Sequence, residues 1–352
     1  MLGGECRAAS AELRIHPKVT DDDRPAGLEC GAITCRGRGP VPAKLPGPYR
    51  GTVELSATPS ERLRDDLEAL TRGNLGDLYR AFRVPEVLKP LTAPLLRPFA
   101  RRFAEALLQT DRRVAEVGLQ RAMTETLGRF DVTLTASGTE TLPATGPLLI
   151  TSNHPGLSDA PALLASLSRP DLKILGAERD LWAALPSLRA RLVVIDPARP
   201  QRSVGAVLAH LRAGGAVLTF PAGRIEPDPA LDPAGAEASL AAWSRSVALF
   251  ARLEPRTRVV PALVTGVTTP ETLRHPLTLL HRNPKDKAWL AASLQVMFRR
   301  YRHNRVTVRY GPPLRHAQGE GDARFFGDLL GATRTLLGAS SGATQTGRNA
   351  LR

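Results

Sequence analysis

Residues 147–167 read PLLITSNHPGLSDAPALLASL. Leu148, Leu149 and Ile150 form a short apolar run. The Gly146-Pro147 pair bounds it upstream and a polar loop bounds it downstream, the pattern of a short buried strand. The loop carries His154, Pro155 and Gly156. DAPALLASL then reads as a helix, with Ser158 suited to the N-cap and Pro161 in the first turn, where a missing N–H is harmless. A strand, a polar loop and a helix in close succession point to an α/β fold.

The same alternation continues outward. DVTLTASG (131–138) reads as a strand ending in a turn at Gly138. LKILGA (172–177), LVVID (192–196), AVLTF (216–220), RVVPALVTGV (258–267) and VTVRYGPPL (306–314) read as further strands. Helices are expected over RSVGAVLAHLRAG (202–214), ended by Gly214 and Gly215, over residues 235–252 and over 286–301. The expected architecture is a mixed, mostly parallel central sheet flanked by helices.

An N-terminal helical segment precedes this domain. Leu63, Leu67, Leu70, Leu75, Leu78 and Phe82 recur at spacings of three to five, with Ser60 as the candidate N-cap. The next stretch is apolar and basic together. Pro90, Pro94 and Pro98 punctuate it, and helix is expected from about Phe99 onward. Its apolar face with Arg97, Arg101 and Arg102 suits an anionic bilayer surface; a helix packed on the core with a solvated arginine face is the competing reading. Four regions are expected: residues 1–58 disordered, 59–130 helical, 131–336 the α/β domain, and 337–352 a disordered tail.

Composition narrows the function classes. The 352 residues carry a net charge of +14, which favours anionic partners. Only 6 of the 48 basic residues are lysine, so the excess also reflects a general preference for arginine. Cys6, Cys30 and Cys35 form neither a CxxC nor a pattern with nearby histidines, which argues against a disulfide framework or zinc site. No apolar run reaches the length of a membrane span, and the N-terminus does not read as a secretory signal. A cytoplasmic protein at the inner face of the cell membrane is expected, with no metal or cofactor.

The chemistry centres on SNHPGLSDAP, residues 152–161. Five residues separate His154 from Asp159, about 140° around a helix, so one helical face cannot hold both. A loop leading into a helix start can. Asp159 then lies at the positive end of a helix dipole, which favours its ionised form. The loop can fold His154 back so that one ring nitrogen meets the carboxylate and the other takes a proton from an alcohol. A strand's C-terminal end is where α/β sheets bind ligands.

NHPGLSD resembles the N-H-x4-D block of the glycerolipid acyltransferases, which include the lysophosphatidate and glycerol-3-phosphate acyltransferases. Upstream, Gly138, Glu140, Leu142 and Pro143 fall in the places of that family's Gly-x-Glu-x-Leu-Pro. LVVIDPAR is similar to its second block, with Arg199 the nearest counterpart of the block's arginine. AVLTFPAGRIEP is similar to the third, usually F-P-E-G-T-R: Phe220, Pro221 and Gly223 match, Ala222 stands where the family has Glu, and Arg224 comes one position early. VVPALV, with Pro261, is similar to the fourth. The resemblance covers roughly residues 130–315.

The resemblance implies an O-acyltransferase. Its acyl donor would be acyl-CoA or acyl carrier protein, and its acceptor a lysophospholipid, with 1-acylglycerol-3-phosphate favoured. His154 would act as general base and Asp159 would orient it. Arg224, Gly223, Pro221, Phe220, Arg199 and Glu226 would bind substrate, Glu226 in partial replacement of the missing third-block carboxylate. Backbone N–H groups of the Pro155-Gly156 loop or the Gly223 turn are candidates for holding an oxyanion. Two alternatives stand beside this reading. One is a lipid-binding protein with little turnover, motivated by Ala222. The other is a basic nucleic-acid binder, motivated by the charge and weakened by the 5% aromatic content. GASSG (338–342) matches the hydrolase pattern G-x-S-x-G by letter only, because no apolar strand precedes it and no histidine follows.

Overall fold

The strands are β1 (Thr133–Ser137), β2 (Leu148–Ser152), β3 (Lys173–Ala177), β4 (Leu192–Ile195), β5 (Ala216–Thr219), β6 (Arg258–Thr265) and β7 (Arg305–Tyr310). The computed structural model describes residues 58–279 and 281–349, and its strands form one seven-stranded sheet in the order β1-β7-β6-β2-β5-β3-β4. From β6 to β4 every pairing is parallel. β7 runs antiparallel to β6, and β1 runs parallel to β7. The mixed, mostly parallel sheet expected from the sequence is present.

The helices are α1 (Pro59–Ala81), α2 (Lys89–Val117), α3 (Leu119–Arg129), α4 (Asp159–Ser166), α5 (Pro186–Arg189), α6 (Pro200–Arg212), α7 (Pro233–Ser239), α8 (Ser246–Leu253), α9 (Pro270–Leu273), α10 (Pro276–Leu279), α11 (Pro284–Met297) and α12 (Asp322–Asn349). Successive side chains of a strand point to opposite faces, so β2 feeds two cores. Leu148 and Ile150 join Met123, Leu127, Leu163 and Leu164 on the face covered by α3 and α4. Leu149 joins Val207, Leu211, Phe250, Phe325 and Leu329 on the face covered by α6, α8 and α12. Every residue of β2 is buried, as expected for a strand covered on both sides.

Pro261 lies inside β6, where a proline normally breaks a ladder. Its carbonyl accepts from Gly311 N at 2.8 Å on the β7 side, just past the Ala262–Tyr310 pair that begins the β7 ladder. The missing N–H therefore falls where that pairing has ended. A Cβ on Gly311 would lie 2.9 Å from the proline ring, so glycine makes the fit.

Four expectations are corrected. Thr58, not Ser60, caps α1: its hydroxyl accepts from Glu61 N while the Glu61 carboxylate accepts from Thr58 N, a capping box. α2 begins at Lys89 and runs through Pro94 and Pro98. Pro90, Pro94 and Pro98 are all exposed and share one side at a spacing of four, so the freed carbonyls face water. The span expected as one helix over 235–252 breaks between α7 and α8. The tail expected to be disordered continues α12 as far as Asn349; Phe325, Phe326, Leu329 and Leu337 anchor that helix on the core. The expectation for residues 1–57 lies outside the described residues.

Candidate active site

The site lies at the C-terminal ends of β2, β5 and β6. Asn153, directly after β2, is buried. Its side-chain oxygen accepts from Val264 N at 2.8 Å, and its Nδ2 donates to Val264 O at 2.9 Å. The amide thus continues the β2–β6 pairing for one more residue and fixes where the loop leaves the sheet.

His154 follows. Its Nδ1 lies 2.7 Å from Oδ2 of Asp159, and the same oxygen accepts from Gly156 N at 2.9 Å. Asp159 Oδ1 accepts from Ala160 N at 2.5 Å. The carboxylate is 1% exposed and begins α4, so dipole and backbone donors hold it against the imidazole. Ser158 occupies the N-cap position but makes no side-chain cap bond, a correction to its expected role. Because a carboxylate only accepts, Nδ1 carries the proton and the Nε2 lone pair is left free.

The imidazole is 31% exposed, and the Phe220 ring stacks on it at 4.6 Å between centroids. Burial is the strongest influence on its pKa and pulls it down. The charge and hydrogen bond of Asp159, joined by the charge of Glu226, outweigh burial and leave His154 above the ordinary histidine range.

Glu226 is 2% exposed. Oε2 accepts from His154 N at 3.0 Å, and Oε1 accepts from Trp243 Nε1 at 2.9 Å and Ser239 Oγ at 2.7 Å. Its own N–H donates to His154 O at 2.8 Å. It is therefore not placed to touch a substrate, which corrects that expectation. Pro221 is likewise buried, its carbonyl accepting from Ser244 N at 2.9 Å. The break between α7 and α8 serves both contacts, since it delivers Trp243 and Ser244 to the loop after β5. Nothing in the sequence signalled Trp243 or Ser239, which lie 17 and 13 positions from Glu226.

Gly223 has φ +61, closes a turn through its N–H to Phe220 O, and is exposed, with nothing within 4 Å of where a Cβ would sit. Arg224 is exposed beside it and makes no ion pair among the described residues. Both glycine N–H groups expected to hold an oxyanion, Gly156 and Gly223, already donate within the protein. Arg199 is not brought to the dyad. It follows β4, the edge strand, which β3 and β5 separate from β2 by three strand spacings, about 14 Å. Its side chain is 59% exposed, 3.9 Å from Asp196.

Protein-family models give no match, and no curated protein matches the chain. Among solved structures the chain is similar to the crystal structure of the 1-acyl-sn-glycerophosphate (LPA) acyltransferase PlsC from Thermotoga maritima. The identity is 14% and the TM-score 0.38, over 79% of this chain and 95% of that one. A likeness at that level places no residue of the site by superposition.

Proposed function

We propose that the protein is an O-acyltransferase that moves a fatty acyl group from the thioester of acyl-CoA or acyl carrier protein to the hydroxyl of a lysophospholipid-like acceptor, with 1-acylglycerol-3-phosphate favoured. The observation that carries the proposal is the His154–Asp159 pair at 2.7 Å with the imidazole partly exposed at the strand ends. The alcohol to be activated is assigned to the substrate, as the resemblance to the glycerolipid acyltransferases implies.

Nε2 takes the acceptor hydroxyl proton as the oxygen attacks the thioester carbonyl carbon. The tetrahedral intermediate collapses, the C–S bond breaks, and the leaving thiolate receives the proton from the imidazolium. Asp159 holds the ring and offsets its charge in between. Arg224 is assigned to an acceptor phosphate, as a charge-assisted contact at the rim.

The acceptor is membrane-borne, and we assign docking to an apolar stripe on the α2 side. Val87, Leu91 and Leu95 are 84%, 77% and 68% exposed, and Leu88 joins them. Around the stripe, Lys89, Arg97 and Arg101 are held in exposed pairs with Glu86, Glu68 and Glu105; such pairs are weak enough to exchange for lipid phosphates. The opposite side of α2 packs Leu96, Ala100, Ala104 and Leu108 against α1 and its neighbours. No helix among the described residues is long and apolar enough to cross a membrane.

The test is label transfer by purified protein from acyl-CoA and from acyl carrier protein to a panel of lysolipids. Transfer that disappears in a folded His154→Ala variant supports the proposal. Binding of lysolipids with no transfer from either donor overturns it in favour of a lipid-binding role.

A further inference from the structure

We infer that Glu226 is a positioning residue for His154: it joins the loop after β2 to the loop after β5 and to the α7–α8 break, and thereby sets where the imidazole stands. The consequence for rate rests on the acyl-transfer reading, while the geometry does not.

Both main-chain polar groups of His154 go to this one residue, N–H to Oε2 at 3.0 Å and carbonyl from Glu226 N at 2.8 Å. Asp159 fixes the ring from the α4 side, and Phe220 supports its face. Glu226 fixes the backbone from the β5 side. The three contacts together leave the ring little freedom to swing.

The carboxylate is the only side chain of this size that satisfies its surroundings. The His154 N–H and the Trp243 indole N–H can only donate, and an ionised carboxylate offers an oxygen to each. A glutamine has one oxygen and one NH2, so it must turn a donor toward one of them. At 2% exposure water cannot step in, and the mismatch pushes on the His154 backbone. Asp159 and Glu226 both act on the imidazole through their charge. Removing the Glu226 charge therefore also removes part of what holds the proton on the ring.

The experiment titrates the His154 ring by NMR in the full chain, wild type, Glu226→Gln and Asp159→Asn, and measures transfer kinetics on the same proteins. Glu226→Gln is expected to lower the His154 pKa, and by less than Asp159→Asn does. It is expected to lower kcat about tenfold through displacement of the base, with the acceptor KM unchanged. A wild-type pKa and kcat in Glu226→Gln overturns the inference, as does a raised acceptor KM at constant kcat, which makes Glu226 a substrate contact. If even the wild type shows no transfer, the acyl-transfer reading fails, and the ring titration alone decides the role of Glu226. If Glu226→Gln does not fold, Trp243→Phe carries the test, since it removes one donor and lets the carboxylate shift toward Ser239. A several-fold loss of kcat at a near-wild-type His154 pKa is then expected, and a wild-type kcat overturns the inference.

Discussion

One oxygen of Asp159 accepts two donors at once, Nδ1 of His154 at 2.7 Å and the backbone N–H of Gly156 at 2.9 Å. The carboxylate thus orients the imidazole and holds the loop that carries it. A base so held has its proton affinity raised and its Nε2 directed outward. Transfer requires that nitrogen unprotonated, so the rate is expected to rise with pH through a pKa above the usual ~6.5 of histidine. Asp159→Asn moves this rise to lower pH while reducing the plateau, and His154→Ala lowers kcat by about 10²- to 10⁴-fold. A pH–rate profile of the three proteins checks this; a profile flat across pH 5–8 in the wild type removes His154 as the base.

Arg224 is exposed and unpaired among the described residues, so its loss leaves the fold intact. A charged hydrogen bond is worth about 1.5–3 kcal/mol, so Arg224→Ala should raise the KM for a phosphate-bearing acceptor by about 10- to 100-fold. The KM for an acceptor without phosphate should stay as it is. Equal effects on both acceptors would assign Arg224 another role.

Val87 and Leu91 contribute nothing to the interior, at 84% and 77% exposure. Replacing both with aspartate should leave the melting temperature unchanged and reduce sedimentation with anionic liposomes by tenfold or more, on the order of the apolar transfer energy lost. Undiminished sedimentation would move the docking surface elsewhere.

Asn153 pairs with Val264 through both its oxygen and its nitrogen, and it is 3% exposed. Asn153→Ala leaves the N–H and carbonyl of Val264 without partners. Chemical unfolding is expected to show a loss of about 2–4 kcal/mol, accompanied by reduced transfer because the strand end that carries His154 loosens. A stability within 0.5 kcal/mol of wild type, the range of a bland surface substitution, would show that water replaces the amide.

Gly266 adopts φ +77, and a Cβ there would sit 2.2 Å from Arg305 O. Gly266→Ala is expected to cost about 2–3 kcal/mol, since both the conformation and the backbone contact oppose it. The same unfolding measurement serves, and a neutral result would mean that β6 and β7 separate at this point without penalty.

The strands and the dyad could be read from local pattern, because burial on both faces demands apolar runs such as Leu148–Ile150 and because the loop between His154 and Asp159 is short. Strand order, the reversal of β7 against β6, and the roles of Trp243, Ser239 and Glu226 could not be read. These depend on contacts between residues far apart in the chain, for which composition and spacing leave no mark. Glu226 shows the difference most directly: its letters suggested a ligand contact at the rim, whereas folding buries it under Trp243 and turns it toward the backbone of His154. Pattern reveals which residues want to leave water; only packing determines what each one meets there.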